Sequence, residues 1–138
     1  MSSILKKRGA RTTTTVCLAI LLSLLGVHSA LAHAQLVKSA PTDKVKLQVA
    51  PEKVELWFNE LLDDGFNTIE VYSATELNAR KHTNLVKGVP QVDAKERTHL
   101  SLPLETLKPG DYVIDYRVLS RDGHTAPGRV RFLVLEAK

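Results

Sequence analysis

Three features of the chain predict an all-β fold. Apolar residues recur at every second position in short runs, turn-forming residues separate those runs at regular intervals, and no segment sustains a 3.6-residue apolar period. About seven short strands in roughly a hundred residues suit an antiparallel sandwich or small barrel, immunoglobulin-like in size.

The elements follow in order from His33. Leu36-Val37 opens a first strand that ends at the turn Ala40-Pro41-Thr42-Asp43. Val45, Leu47 and Val49 alternate with Lys44, Lys46 and Gln48, the pattern of a half-buried strand. Val54-Glu55-Leu56-Trp57-Phe58 is the strongest early strand, with Val54, Leu56 and Phe58 on one face. Asp63-Asp64-Gly65 closes it, and Asn67 to Tyr72 alternates again with Ile69 and Val71 inward. Ser73 to Gln91 is polar and interrupted by Gly88-Val89-Pro90, with a strand expected only at Leu85 to Lys87. Thr98, Leu100, Leu102 and Leu104 form the next alternating series, in which Pro103 argues for a sheet edge. After the turn Lys108-Pro109-Gly110-Asp111, the run Tyr112 to Leu119 sets Tyr112, Ile114, Tyr116 and Val118 on one face. Val130, Phe132 and Val134 alternate in the last strand.

The first 32 residues stand apart from this pattern. Lys6, Lys7, Arg8 and Arg11 form a basic region, Val16 to Val27 is apolar except for Ser23 and Gly26, and Ala30-Leu31-Ala32 has the form of a signal-peptidase site. The apolar run is shorter than the roughly 18 residues of a spanning helix. Residues 1–32 are therefore expected to be a cleaved signal peptide, and residues 33–138 one exported domain with no membrane span left after processing. Ala32-His33-Ala34 also has the cleavage-site form, and cutting there would leave Gln35 first.

Cleavage changes the composition. Four of the nineteen basic residues and none of the fifteen acidic ones lie in the leader, so the net charge of +4 leaves with it. An exported chain without net charge or a basic cluster gives no reason to expect nucleic acid as partner. Cys17 and Met1, the single cysteine and the single methionine, leave as well. The domain then offers a metal neither thiolate nor thioether, which rules out a methionine-sulfur site for Cu(I).

The chemistry concentrates in Ser120-Arg121-Asp122-Gly123-His124. In an extended segment, side chains two residues apart leave the backbone on one side, so Asp122 and His124 are expected to face one partner, with Gly123 keeping the space between them open. A third ligand comes from His33. As the first residue of the processed chain it would offer an α-amine, with pKa near roughly 8, and an imidazole near roughly 6.5, and both can chelate one ion. Three nitrogens and one carboxylate oxygen suit tetragonal Cu(II), with nickel next in order and zinc disfavoured by its tetrahedral preference.

Taken together, His33, the start Leu36…Ser39-Ala40-Pro41, Val54-Glu55-Leu56-Trp57-Phe58-Asn59-Glu60, Leu107-Lys108-Pro109-Gly110-Asp111-Tyr112 and Ser120-Arg121-Asp122-Gly123-His124 resemble the CopC-like periplasmic copper-resistance proteins over the whole processed chain. The resemblance implies a Greek-key β-barrel or sandwich that holds one Cu(II) ion through His33, Asp122 and His124. Glu60 matches an acidic residue near that site and is expected as an outer ligand. The family implies copper carriage, homeostasis and resistance in the periplasm, no catalysis, and a CopD-like inner-membrane protein as partner. Some members carry a methionine-rich loop for Cu(I) where this chain has Ser73 to Gln91; its absence here points to a Cu(II)-only subtype. Tyr116 stands where a tryptophan is frequent, and Thr42-Asp43-Lys44 lacks the usual glycine.

Two other readings fit parts of the pattern. A terminal-histidine chelate is also the copper site of oxidative polysaccharide-cleaving enzymes, although no flat aromatic surface is evident. A metal-free immunoglobulin-like interaction domain needs only the strands. Outside the site, His82 and His99 lie in polar company and are expected to be solvated. Trp57 and Phe58 alternate faces, so one belongs to the core and the other covers the site or stays half-exposed. Arg121 and Arg129 have two readings, bracketing the loop in support of Asp122 or an ordinary surface role.

Overall fold

The structure, a computed structural model, describes residues 34–136. Eight strands form two four-stranded sheets: β1 (Leu36–Ala40), β2 (Val45–Leu47), β3 (Lys53–Phe58), β4 (Thr68–Ser73), β5 (Gln91–Val92), β6 (His99–Pro103), β7 (Gly110–Leu119) and β8 (Thr125–Val134). One sheet has the order β1-β3-β6-β5 and the other β2-β8-β7-β4. The all-β sandwich expected from the alternation is the one observed, with the two-residue β5 as an additional short strand. All sheet neighbours are antiparallel except β2 and β8, which are parallel. That exception arises because the turn after β1 carries the chain across to the other sheet, where β2 aligns along β8 from Val45↔Phe132 to Leu47↔Val134.

Alternation decides which residues meet between the sheets. Val54, Leu56 and Phe58 of β3 and Leu100 and Leu102 of β6, from one sheet, meet Ile69 and Val71 of β4, Ile114 and Val118 of β7, and Val130, Phe132 and Val134 of β8, from the other, in one buried cluster. Each such side chain contributes about 1.5–3 kcal/mol by leaving water. Tyr116 enters the same layer edge-on to Phe58, with ring centroids 5.5 Å apart at 73°. Its ring lies so close over Gly128 that any Cβ there would collide with it, which explains a glycine in the middle of β8.

Three expectations change. Pro103 does not mark an edge, because β6 lies between β3 and β5. It is the last residue of the strand, opposite Lys53, and its carbonyl accepts from Lys87 N at 2.8 Å, so its missing N–H falls where the ladder ends. Leu85 to Lys87 forms only an isolated bridge, Val86↔Leu104. His82 and His99 are not solvated. His99 stands opposite Trp57 on the outward side of β6 and stacks on its ring at 4.5 Å, with Lys38 Nζ 4.3 Å from the same indole. His82 stacks on Tyr72 at 3.8 Å, because Leu85 N donates to Val71 O and draws that segment along β4. Phe58 is thus the core member of its pair, and Trp57 is half-buried in a stack between His99 and Lys38. Among the described residues no helix is long and apolar enough to cross a membrane.

Candidate metal centre

Asp122 and His124 lie in the connection between β7 and β8, the long hairpin whose register runs from Gly110↔Val134 to Leu119↔Thr125. Beyond Leu119 the chain turns. Gly123 N donates to Ser120 O at 2.9 Å and Ser120 N donates to His124 O at 2.9 Å. Gly123 sits at φ +89°, a left-handed conformation that glycine adopts without a Cβ penalty.

The turn, and not an extended segment, brings the two candidate ligands together. His124 Nδ1 lies 2.9 Å from Asp122 Oδ2, and His124 N donates to Asp122 Oδ1 at 3.1 Å. Ser120 Oγ donates a very short hydrogen bond to Asp122 Oδ1 and also reaches His124 O at 3.1 Å. Strand alternation placed Asp122 and His124 on one side of the chain, and the glycine turn is what brings their side chains into contact. Alternate residues of a strand share a face several ångströms apart, and only a turn folds one side chain back onto the other. The Ser120 hydroxyl, followed by the ring and backbone N–H of His124, lowers the Asp122 carboxyl to about 2. The carboxylate is therefore ionised at neutral pH.

A second loop braces this turn. Leaving β3, the segment Asn59 to Leu62 crosses the end of the sandwich; Arg121 N donates to Leu61 O at 3.0 Å and Leu62 bridges Ser120. Asp63 N donates to Leu119 O, and Leu119 N donates to Asn67 Oδ1, both at 2.9 Å. The same segment holds the start of the described chain. Gln35 N donates to Asn59 Oδ1 at 2.7 Å and Asn59 N donates to Gln35 O at 3.0 Å, while Ala34 is 6% exposed against the core.

His33 lies outside the described residues. Glu60 is half-buried in the bracing segment, and no hydrogen bond or ion pair joins its carboxylate to Asp122 or His124 among the described residues. Within that range no three His, Cys, Asp or Glu side chains converge on one point. Arg129 does not support Asp122. Its guanidinium donates twice to Asp115, at 2.5 and 2.8 Å, and Asp115 also accepts from Tyr72 Oη at 2.6 Å. Arg129 holds the Asp115 carboxyl below its usual range, and burial with Asp115 raises the Tyr72 phenol. This cluster lines a surface hollow of about 490 Å³ on the outer face of β4, β7 and β8, and neither Asp122 nor His124 borders it. An ion gripped by an exposed turn requires no cavity.

The residue that sequence reasoning left without a role is Ser120. Its signal was local, since serine two positions before an aspartate in a glycine turn is a common arrangement for a hydroxyl–carboxylate bond.

Asp122 and His124 offer one carboxylate oxygen and one imidazole nitrogen, a donor pair of the type that suits Cu(II). Comparison with known proteins bears on that fit. A sequence model described as the CopC domain matches residues 36–135. Protein YobA of Escherichia coli (strain K12) is 32% identical over 118 residues, covering 85% of this chain and 90% of that protein. The crystal structure of CopC from Methylosinus trichosporium OB3b superposes with a TM-score of 0.67 at 28% identity, over 77% of this chain and 97% of that one. PcoC, a methionine-rich copper resistance protein from Escherichia coli, superposes with a TM-score of 0.60 at 28% identity, over 75% of this chain and 99% of that one.

Proposed function

The chain belongs to the CopC domain family, and from that membership we propose that it is an exported, non-catalytic protein that binds one Cu(II) ion in the periplasm for carriage, homeostasis and resistance. The ion is cargo. His33 would supply its α-amine and imidazole once the leader is removed after Ala32, Asp122 a carboxylate oxygen, and His124 an imidazole nitrogen; Glu60 stands in reserve as an outer ligand. A CopD-like inner-membrane protein is the recipient that family analogy offers.

The observation that supports this reading most directly is the preassembled Asp122–His124 pair, 2.9 Å apart in an exposed turn. At that separation Nδ1 and Oδ2 stand as two adjacent ligands of one Cu(II) would, the ion taking the place of the proton between them. Gln35 and Arg121 bond to the same short segment, which supports a His33 ligand arriving from the same end of the sandwich. The absence of methionine and cysteine after residue 32 favours Cu(II) over Cu(I).

N-terminal sequencing of the exported protein, followed by Cu(II) titration of the metal-stripped form against a competing chelator, tests the proposal. The expected result is a chain beginning at His33 that binds one Cu(II), and a His124→Ala variant that binds much more weakly. A mature chain beginning at Gln35, or a His124→Ala variant with undiminished affinity, would overturn it.

A further inference from the structure

The copper reading does not explain why a serine is shut into the fold beneath the two ligands. Ser120 is 1% exposed, more deeply buried than the other buried serine, Ser39, at 8%. Resting on that reading, we infer that Ser120 is the positioning residue of the metal site: its hydroxyl holds Oδ1 of Asp122, so that the carboxylate meets the ion through Oδ2 alone.

The inference follows from a count of lone pairs. Each carboxylate oxygen has two favourable directions for accepting a hydrogen bond or a metal. At Oδ1 both are taken, one by Ser120 Oγ and the other by His124 N at 3.1 Å. At Oδ2 one is taken by His124 Nδ1 at 2.9 Å. Oδ2 has one direction open and its other faces His124 Nδ1, where an ion would take the place of the proton, so Oδ2 is the oxygen the carboxylate can give while the Ser120 and backbone bonds of the turn stay intact.

Ser120 can enforce this because it is buried and bonded on every side. Its N–H donates to His124 O, its carbonyl accepts from Gly123 N, and it bridges Leu62 of the bracing segment. Every polar group of the residue is committed to the turn that carries the ligands. A carboxylate restricted to one oxygen suits the tetragonal positions of Cu(II), whereas one able to offer both oxygens suits larger, hard ions such as Ca²⁺. Ser120 thereby biases the site's selectivity as well as its geometry.

The test compares processed wild-type protein with Ser120→Ala, Ser120→Thr and His124→Ala, reading Cu(II) affinity by chelator competition, the EPR spectrum of the Cu(II) form, and the thermal midpoint of the metal-free form. Ser120→Ala should weaken binding by about 10–100-fold, the usual effect of removing an outer hydrogen bond to a ligand. It should also alter the copper hyperfine splitting while barely moving the metal-free midpoint, and Ser120→Thr should restore affinity and spectrum. Wild-type affinity and spectrum in Ser120→Ala, or loss of its fold, would give Ser120 a structural role only and overturn the inference; a strong defect in His124→Ala beside it would leave the copper reading intact. Undiminished binding by His124→Ala would instead remove the copper reading, and the role of Ser120 with it.

Discussion

His124 Nδ1 lies 2.9 Å from Oδ2 of Asp122, two residues earlier in the same turn. The side chains of both are largely accessible, 38% for Asp122 and 56% for His124, so they are held by bonding within the turn and not by burial. Losing either should affect metal binding far more than folding.

Asp122→Asn is the direct test of that separation. The amide keeps the shape but removes the anionic oxygen that Ser120 and His124 hold, and Cu(II) affinity should fall by at least about 10–100-fold. The metal-free thermal midpoint should fall by less than about 4–8 °C, the change that 1 kcal/mol produces in a domain of this size. Chelator competition and calorimetry check the two quantities.

Copper affinity should decline as pH falls from about 7 to 5, because protons compete for the imidazoles and the α-amine. Asp122 adds nothing over that range, since its carboxyl titrates at about 2 in the folded protein. The sign for stability is the usual one for a depressed acid. Its contribution is present above the unfolded carboxyl value of roughly 3.9 and is lost as pH falls through the folded value. Titrations at fixed chelator concentration across pH 4–8 should therefore report nitrogen ligands only.

Gly123→Ala should strain the turn, because φ +89° is unfavourable for a residue with a Cβ, although no atom lies within 4 Å of where that Cβ would sit. The expected cost is about 1–2 kcal/mol by denaturant unfolding, accompanied by weaker copper binding as Asp122 and His124 separate.

The opposite change is available at Lys44, which adopts φ +62° with its N–H donating to Arg131 O at 2.6 Å. Replacing it with glycine relieves the left-handed penalty at some cost in chain entropy, so Lys44→Gly should stabilise by roughly 0.5–1 kcal/mol. Copper affinity should not change, because the turn between β1 and β2 makes no bond to the Asp122 loop among the described residues.

Asp115→Ala supplies a control on the outer face. It removes the carboxylate shared by Arg129 and the buried Tyr72 hydroxyl, and an unpaired buried hydroxyl costs about 1–3 kcal/mol. Stability measured in urea should fall by that amount while Cu(II) affinity stays at the wild-type value.

Period-two alternation by itself determined the sandwich. Val54, Leu56 and Phe58, or Val130, Phe132 and Val134, have one arrangement that buries them together, and a slip of one residue would expose the whole set. That Asp122 and His124 could meet was also legible, since they lie two residues apart around a glycine. Only the tertiary structure decided how that pair is held. The bond from Ser120 lies within the turn, whereas the brace from Leu61 and the shared anchoring of Gln35 and Arg121 on one crossing segment join residues some sixty to ninety positions apart. It also decided the fate of His82 and His99, whose polar neighbours in the chain gave no hint of Tyr72 and Trp57 as stacking partners. Side-chain periodicity is a local property and can be read along a chain, whereas contacts across the end of a sandwich exist only once both sheets have closed.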